Sequence, residues 1–341
     1  MGRYFWSDLV YNLIPLVVVG ALFFALTRAR RQPLWAEAYR RIGRNRAALV
    51  ALAVIGVFGL AAFSDSIAWT DKKTQTRRSL LDRAFERAKE RTYSAPLATM
   101  TTGEPVPRRL AHPRGHLLGT DGVGDDVLYR TLKGARTAFI IGGLTSLIAT
   151  PLALLFGMMA GYFGKRADDA IQYLYTVLAS IPDVLLLIAL ILVLGKGLIQ
   201  LCFALGITSW VGLCRLSRGE TLKHRDRDYV RAARAIGVSN GRILARHILP
   251  NLLPVIIIQT TLAFSGLVLY EAILSFLGVG VGPETGSWGN MIDAARDELA
   301  RDPLIWWNLT AAGTALFLLV LAFNVFGDAL RDAVDPRLRS S

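Results

Sequence analysis

The chain is poor in the residues that most site chemistry needs. Two cysteines in 341 residues exclude a disulfide-stapled scaffold. Cys202 and Cys214 lie twelve positions apart, about 18 Å if helical, too far for a bridge, so they read as small interior residues. There are only four histidines. His112 and His116 share a helical spacing, but Pro113 and Gly115 stand between them, so no metal site is expected there. No paired His and Asp cluster of the kind a membrane-embedded enzyme would use is present. A Gly-x4-Gly-Lys-[Ser/Thr] phosphate loop is missing too, since Gly164-Lys165 has neither the upstream glycine nor the hydroxyl. Charged residues are only 19 %, yet the formal net charge is +13.

Apolar residues are plentiful: 53 % of the chain, with mean hydropathy +0.40, which excludes a disordered chain. They fall in long runs, and about 20 apolar residues suffice to span a bilayer as a helix. Seven runs qualify: Leu9 to Leu26, Ala47 to Phe63, Thr137 to Gly161, Ile171 to Leu194 with Pro182-Asp183 inside it, the shorter Leu198 to Leu213, Leu252 to Gly282, and Ile305 to Phe326. Lipid offers backbone amides no partners, so an all-α polytopic membrane protein is expected. The first run is followed by Arg28, Arg30 and Arg31 and has no small-x-small cleavage site. It reads as a retained helix and not as a cleaved signal.

The positive charge is concentrated. Residues 28–46 hold seven Arg against Glu37, and residues 215–247 hold nine Lys or Arg against three acids, which leaves one net charge for the rest. Both loops are expected on the cytoplasmic side, and the acidic segment 278–304 outside. Seven alternating spans satisfy all three, with the N-terminus external and the C-terminus cytoplasmic. The charge then serves topology beside anionic lipid, and nucleic acid is not an expected partner. Within the long external segment 65–135, Leu80 to Arg91 reads as a solvated surface helix.

The basic loop before the sixth run carries the sharpest pattern. Ala232, Ala233 and Ala235 are compact helix formers, Gly237 permits an abrupt turn, and Ser239 or Asn240 can cap a second short helix that ends at Pro250. The order Ala232-Ala233, Gly237, Leu249-Pro250 resembles the EAA signature of ABC importer permeases, with Arg231 in place of its glutamate and His247 in place of its apolar residue. His247-Ile-Leu-Pro-Asn251 is similar to the peptide-type branch. So are His116-Leu-Leu-Gly-Thr-Asp121 with Gly124-Asp125-Asp126-Val127 and Arg130, Ser209-Trp210 leading to Arg218-Gly219-Glu220, Glu271 with Ser275-Phe-Leu-Gly278, Ser287-Trp-Gly-Asn-Met291, and Asn324 to Asp328 followed by Asp335-Pro336-Arg337. The resemblance covers residues 40–65 and 105–339, in the dipeptide, oligopeptide and nickel branch.

That resemblance implies a type I permease core of five to six helices plus one extra N-terminal helix. The divisions it suggests are 1–35 for the extra helix, 36–64 for the first core helix, 65–135 for the external loop, 136–330 for the core with its coupling loop 215–250, and 331–341 for a cytoplasmic tail. It further implies an inner-membrane complex with a second permease, two ATPases and an extracytoplasmic solute-binding protein. This chain itself would bind no cofactor and be no enzyme; ATP and magnesium would sit on the ATPases. Asp228, Tyr229, Ala232, Ala233, Ala235, Gly237, Val238, Leu249 and Pro250 are the implied ATPase contacts. The solute expected is a peptide, with nickel chelates, opines or oligosaccharides as alternatives. A channel or secondary transporter would need inverted repeats or a chain of intramembrane charges, and neither is detected. Ionisable groups at membrane depth invite a role in the pathway, so Asp183 beside the helix-breaking Pro182, and Glu271, are the candidates; structural pairing inside the bundle is the alternative for both.

Overall fold

A computed structural model describes residues 3–71, 75–86 and 89–334. The motif residues Asp335, Pro336 and Arg337 lie outside the described residues. Among the described residues six helices are long and apolar enough to cross a membrane, and a pair bent by 86° makes a seventh if it is counted as one span. These match the seven apolar runs: α1 (Arg3–Ala29), α3 (Arg46–Ser66), α5 (Val127–Phe163), the pair α6 (Lys165–Ala179) and α7 (Asp183–Leu194), α8 with α9 (Leu198–Thr208, Trp210–Arg225), α12 (Leu249–Phe276) and α14 (Trp307–Val334). Short helices join them: α2 (Pro33–Arg44), α4 (Leu80–Ala84), α10 (Asp228–Ala235), α11 (Asn240–Ile243) and α13 (Trp288–Leu299).

One feature departs from the all-helical expectation. Strands β1 (Ala68–Thr70) and β2 (Arg77–Ser79) pair antiparallel, with Ala68 opposite Ser79. The expected surface helix from Leu80 to Arg91 is also shortened. It stops at Ala84, and Asp82 is docked, not solvated: it accepts from Tyr129 Oη at 2.6 Å and pairs with Lys133 at 2.8 Å.

The chain forms two compact units. The first comprises residues up to 139 together with 271–326. Here segment 89–126 folds back on itself around buried polar groups. Glu90 is 7 % exposed and accepts the amide N–H groups of Ala111 and His112 at 3.0 and 2.9 Å. His116 lies between Glu90 (3.4 Å) and Asp126 (2.8 Å). Burial alone would raise the Glu90 carboxyl, but those two amides and His116 outweigh it and hold it below the ordinary value. A carboxyl lowered by folding adds stability above its unfolded pKa and loses it as the pH falls through the folded one. Glu90→Gln should therefore melt below the native protein above pH about 5, and the gap should narrow progressively as the pH falls below about 4. Proteolysis of segment 89–126 against temperature and pH measures this.

In the same unit the extra N-terminal helix is tied down by polar side chains of its first turns. Asp8 accepts the Thr70 amide (3.0 Å) and hydroxyl (2.7 Å), and Asn12 bonds both backbone groups of Ala68. Tyr11 Oη accepts from Arg136 at 2.6 Å. The apolar face from Leu13 to Leu26 stays exposed, as a lipid-facing helix requires. Two tryptophans tie the loops to the spans: Trp288 Nε1 donates to the Thr131 carbonyl (2.8 Å) and Trp307 Nε1 to that of Thr120 (2.9 Å).

The second unit comprises residues 140–270 and the chain from 327. Gly157 and Gly161 of α5 face α9 closely. A Cβ on Gly157 would lie 1.8 Å from Ser217 Oγ, and one on Gly161 would lie 2.7 Å from the Arg218 carbonyl oxygen. The small-xxx-small pair is thus a helix-packing face. Of the Gly142-Gly143 pair only Gly142 is such a contact, against Phe264; Gly143 has nothing within 4 Å. Arg218 on α9 clamps Asp168 on α6 with two hydrogen bonds of 2.6 Å, and Arg225 donates to the Gly161 carbonyl at 3.2 Å. A paired fork of this kind fixes direction as well as distance.

Candidate functional site

The basic loop of the second unit is built as a helical elbow. Helix α10 ends in a Schellman turn: the Val238 amide bonds the Ala233 carbonyl (3.0 Å) and the Gly237 amide bonds that of Arg234 (3.1 Å). The turn needs a positive φ at Gly237, which is +82°. Ser239 stands at the N-cap of α11 but its side chain makes no capping bond. Asn240 instead accepts from Tyr162 Oη at 2.8 Å, tying the elbow to α5.

The expected second short helix does not stop at Pro250. Residues 240–276 form one helix, with a π turn over Leu244–Ile248. Pro250 has no N–H to give, and the wide turn absorbs the misfit: the Leu249 amide reaches the Leu244 carbonyl, and Asn251 Nδ2 bonds the His247 carbonyl at 2.6 Å. The His247 to Asn251 stretch is therefore a joint that makes elbow and span continuous.

One face of the elbow is anchored. Val230, Ala233, Ile243 and Ile248 are buried with Tyr162, Leu252 and Ile256, and Val238, Leu244 and Leu249 pack against them. Ala233, one of the implied contacts, is 5 % exposed and packs in this core. It follows Val230 by three positions and so shares its face. Val238 and Leu249 are half-buried supports. The opposite face presents Asp228, Tyr229, Ala232, Ala235, Gly237 and Pro250 to solvent. Tyr229 Oη lies 2.7 Å from His224 Nδ1, and burial pushes the Tyr229 phenol up. The sequence reading missed Ile236, whose side chain is 82 % exposed at the elbow's apex. An apolar residue just before the turn glycine of a basic loop was the available signal.

The pathway candidates separate. Pro182 stands in the break between α6 and α7, where the pair bends by 86°. Asp183 opens α7, is exposed, and accepts from Tyr270 Oη at 3.0 Å. It lines a cavity of about 370 Å³ with Leu178, Thr208, Ser209, Gly212 and Tyr270. A second cavity, of about 300 Å³, adjoins it through Ser209 and Gly212 and carries Ser146, Thr150, Gln259 and Thr260. Glu271, in the first unit, lines neither cavity. It is 2 % exposed, and Oε1 accepts from Ser287 (2.6 Å) and Ser275 (2.8 Å), hydroxyls that pin the loop after α12. The structure thus gives Glu271 two hydroxyl partners within the first unit, the structural pairing named as the alternative for it.

Six described helices long and apolar enough to cross a membrane define an integral membrane protein. The chain belongs to the binding-protein-dependent transport system inner membrane component family, whose model matches residues 153–340. It is 40 % identical to the Di/tripeptide transport system permease protein DppC of Pseudomonas aeruginosa over 66 % of this chain and 73 % of that one. It is 32 % identical to the Dipeptide transport system permease protein DppC of Alkalihalophilus pseudofirmus over 90 % and 91 %. Among solved structures, a chain of the MetNI methionine ABC transporter in inward-facing conformations aligns at TM-score 0.46 and 22 % identity, covering 61 % of this chain and 96 % of that one. The protein is accordingly a multi-pass permease subunit of a bacterial inner membrane.

Proposed function

We propose that this permease works in an ATP-driven importer of peptides, paired with a second homologous permease, driven by two ATPases and supplied by an extracytoplasmic binding protein. The names of its relatives support the peptide. ATP and magnesium belong to the ATPases, since this chain has no phosphate loop. The observation that carries the reading is the elbow: an exposed ridge of Tyr229, Ala232, Ala235, Ile236 and Gly237, mounted on a buried base. Small side chains let a partner's groove approach closely, and Ile236 offers an apolar plug.

The mounting supports coupling. Helix α9 leads into the elbow and α12 leads out of it through the π turn, and both line the cavities, with Gly212 from α9 and Gln259, Thr260 and Tyr270 from α12. A push on the elbow therefore moves two walls of the solute space together. ATP-driven closure of the ATPases would bias a two-state equilibrium of the permease pair, and hydrolysis would reset it.

Burying an isoleucine contributes roughly 1.5–3 kcal/mol. Ile236→Ala should accordingly weaken ATPase retention about ten-fold or more, read by co-purification of the ATPases in detergent. Vesicles holding the whole complex, with ATP inside and loaded binding protein outside, test the function itself. Labelled dipeptide should accumulate inside; ATP turnover without accumulation would defeat the peptide reading.

A further inference from the structure

The two adjoining cavities are lined by aliphatic, hydroxyl and amide side chains, and Asp183 is the one charged residue among the described residues on either wall. Its partner is the Tyr270 hydroxyl, and no described cationic side chain pairs with it. A carboxylate at membrane depth is costly unless a counter-charge or a specific set of donors attends it. Here one phenol leaves most of its acceptor capacity unused. The break at Pro182 places this carboxylate at the first residue of α7, where it is exposed at the cavity wall and touches α12 through Tyr270. The other lining groups, such as Ser209, Thr150 and Gln259, are neutral and suit amide and carbonyl groups.

We propose that Asp183, held by Tyr270, is a binding point for the protonated amino group of the passing solute, so that the permease itself selects solutes with a free ammonium group. This rests on the importer reading above and adds a chemical filter to it. Tyr270 is the positioning residue: its hydroxyl holds one carboxylate oxygen and leaves the other for the ammonium.

The test uses the whole complex in vesicles with cysteine placed at Ser209, the exposed side chain common to both cavities beside Gly212. Its modification is timed with a trimethylammonium thiosulfonate and with an ethylsulfonate thiosulfonate, each corrected for its rate with a free thiol. The chain without Ser209→Cys gives the background from Cys202 and Cys214. The cationic reagent is expected to react at least ten-fold faster. Asp183→Asn should bring the ratio near one, and Asp183→Glu, which keeps the charge, should preserve it. Dialanine and ethylammonium should slow the cationic reagent, and N-acetyl-dialanine should not. A ratio indifferent to Asp183→Asn, or equal protection by the acetylated and free dipeptides, would overturn the proposal. If the unsubstituted complex takes up no dialanine while the charge ratio and ethylammonium protection persist, the peptide reading fails and the ammonium site stands.

Discussion

Gly237→Asp is expected to abolish ATP-driven uptake while the subunit still inserts, folds and reaches its normal level. The internal cost of the change is small. A Cβ at this position meets nothing within 4 Å, and the φ of +82° is one that Asp tolerates better than most residues, at about 1 kcal/mol. The loss must therefore arise at a partner's surface. There the new carboxylate would be buried beside Ile236 without a counter-charge, which costs several kcal/mol. Two measurements separate the effects: the melting temperature of the purified subunit should move little, and ATP hydrolysis by the complex should lose its dependence on loaded binding protein. Normal uptake by this variant would remove the elbow from the coupling path.

Gly157→Leu should have the opposite profile, with the protein failing to accumulate at all. Its Cβ would fall 1.8 Å from Ser217 Oγ and 2.6 Å from the Cys214 carbonyl oxygen, and backbone cannot rotate away. Ser217 is itself fixed by its bond to the Ala153 carbonyl at 3.0 Å. Relief requires α5 and α9 to part, which forfeits the Ser217–Ala153 and Arg225–Gly161 bonds between them. Overpacking of this kind costs about 1–3 kcal/mol before those two bonds are counted. Membrane levels and thermal unfolding in detergent check it, with Gly143→Leu as the control, since nothing lies within 4 Å of Gly143. A well-expressed, stable Gly157→Leu chain would show that this contact does not hold the bundle together.

These two glycines also mark what sequence can and cannot carry. The spans were legible because lipid demands long apolar helices, and the elbow because Ala-Ala, Gly and Leu-Pro fall at fixed intervals. Which face of the elbow looks outward was not legible: Ala233 and Ala232 are chemically identical, and only the position of Val230 assigns one to the core. The continuity of helix 240–276 was hidden because Pro250 reads as a boundary, and the π turn that absorbs it has no strong signature. Strands β1 and β2 were invisible for another reason. Three residues each, with Arg77 and Arg78 in one of them, are too short for alternation to register. The hydroxyl partners of Glu271 were not legible because Ser287 is 16 positions away, at the cap of another helix.

The manner in which α1 is attached bears on how the protein meets membranes of different thickness. Its 27 residues extend about 40 Å, against a hydrocarbon layer of about 30 Å. Asp8, Tyr11 and Asn12 fasten one end, Arg30 stacks over Tyr39 of α2 at the other, and the length between is 0 % buried. A helix fastened this way absorbs surplus length by tilting, since no packed face has to slide. Bilayer thinning or thickening is then taken up by α1 itself, through a pivot about the β1 strand.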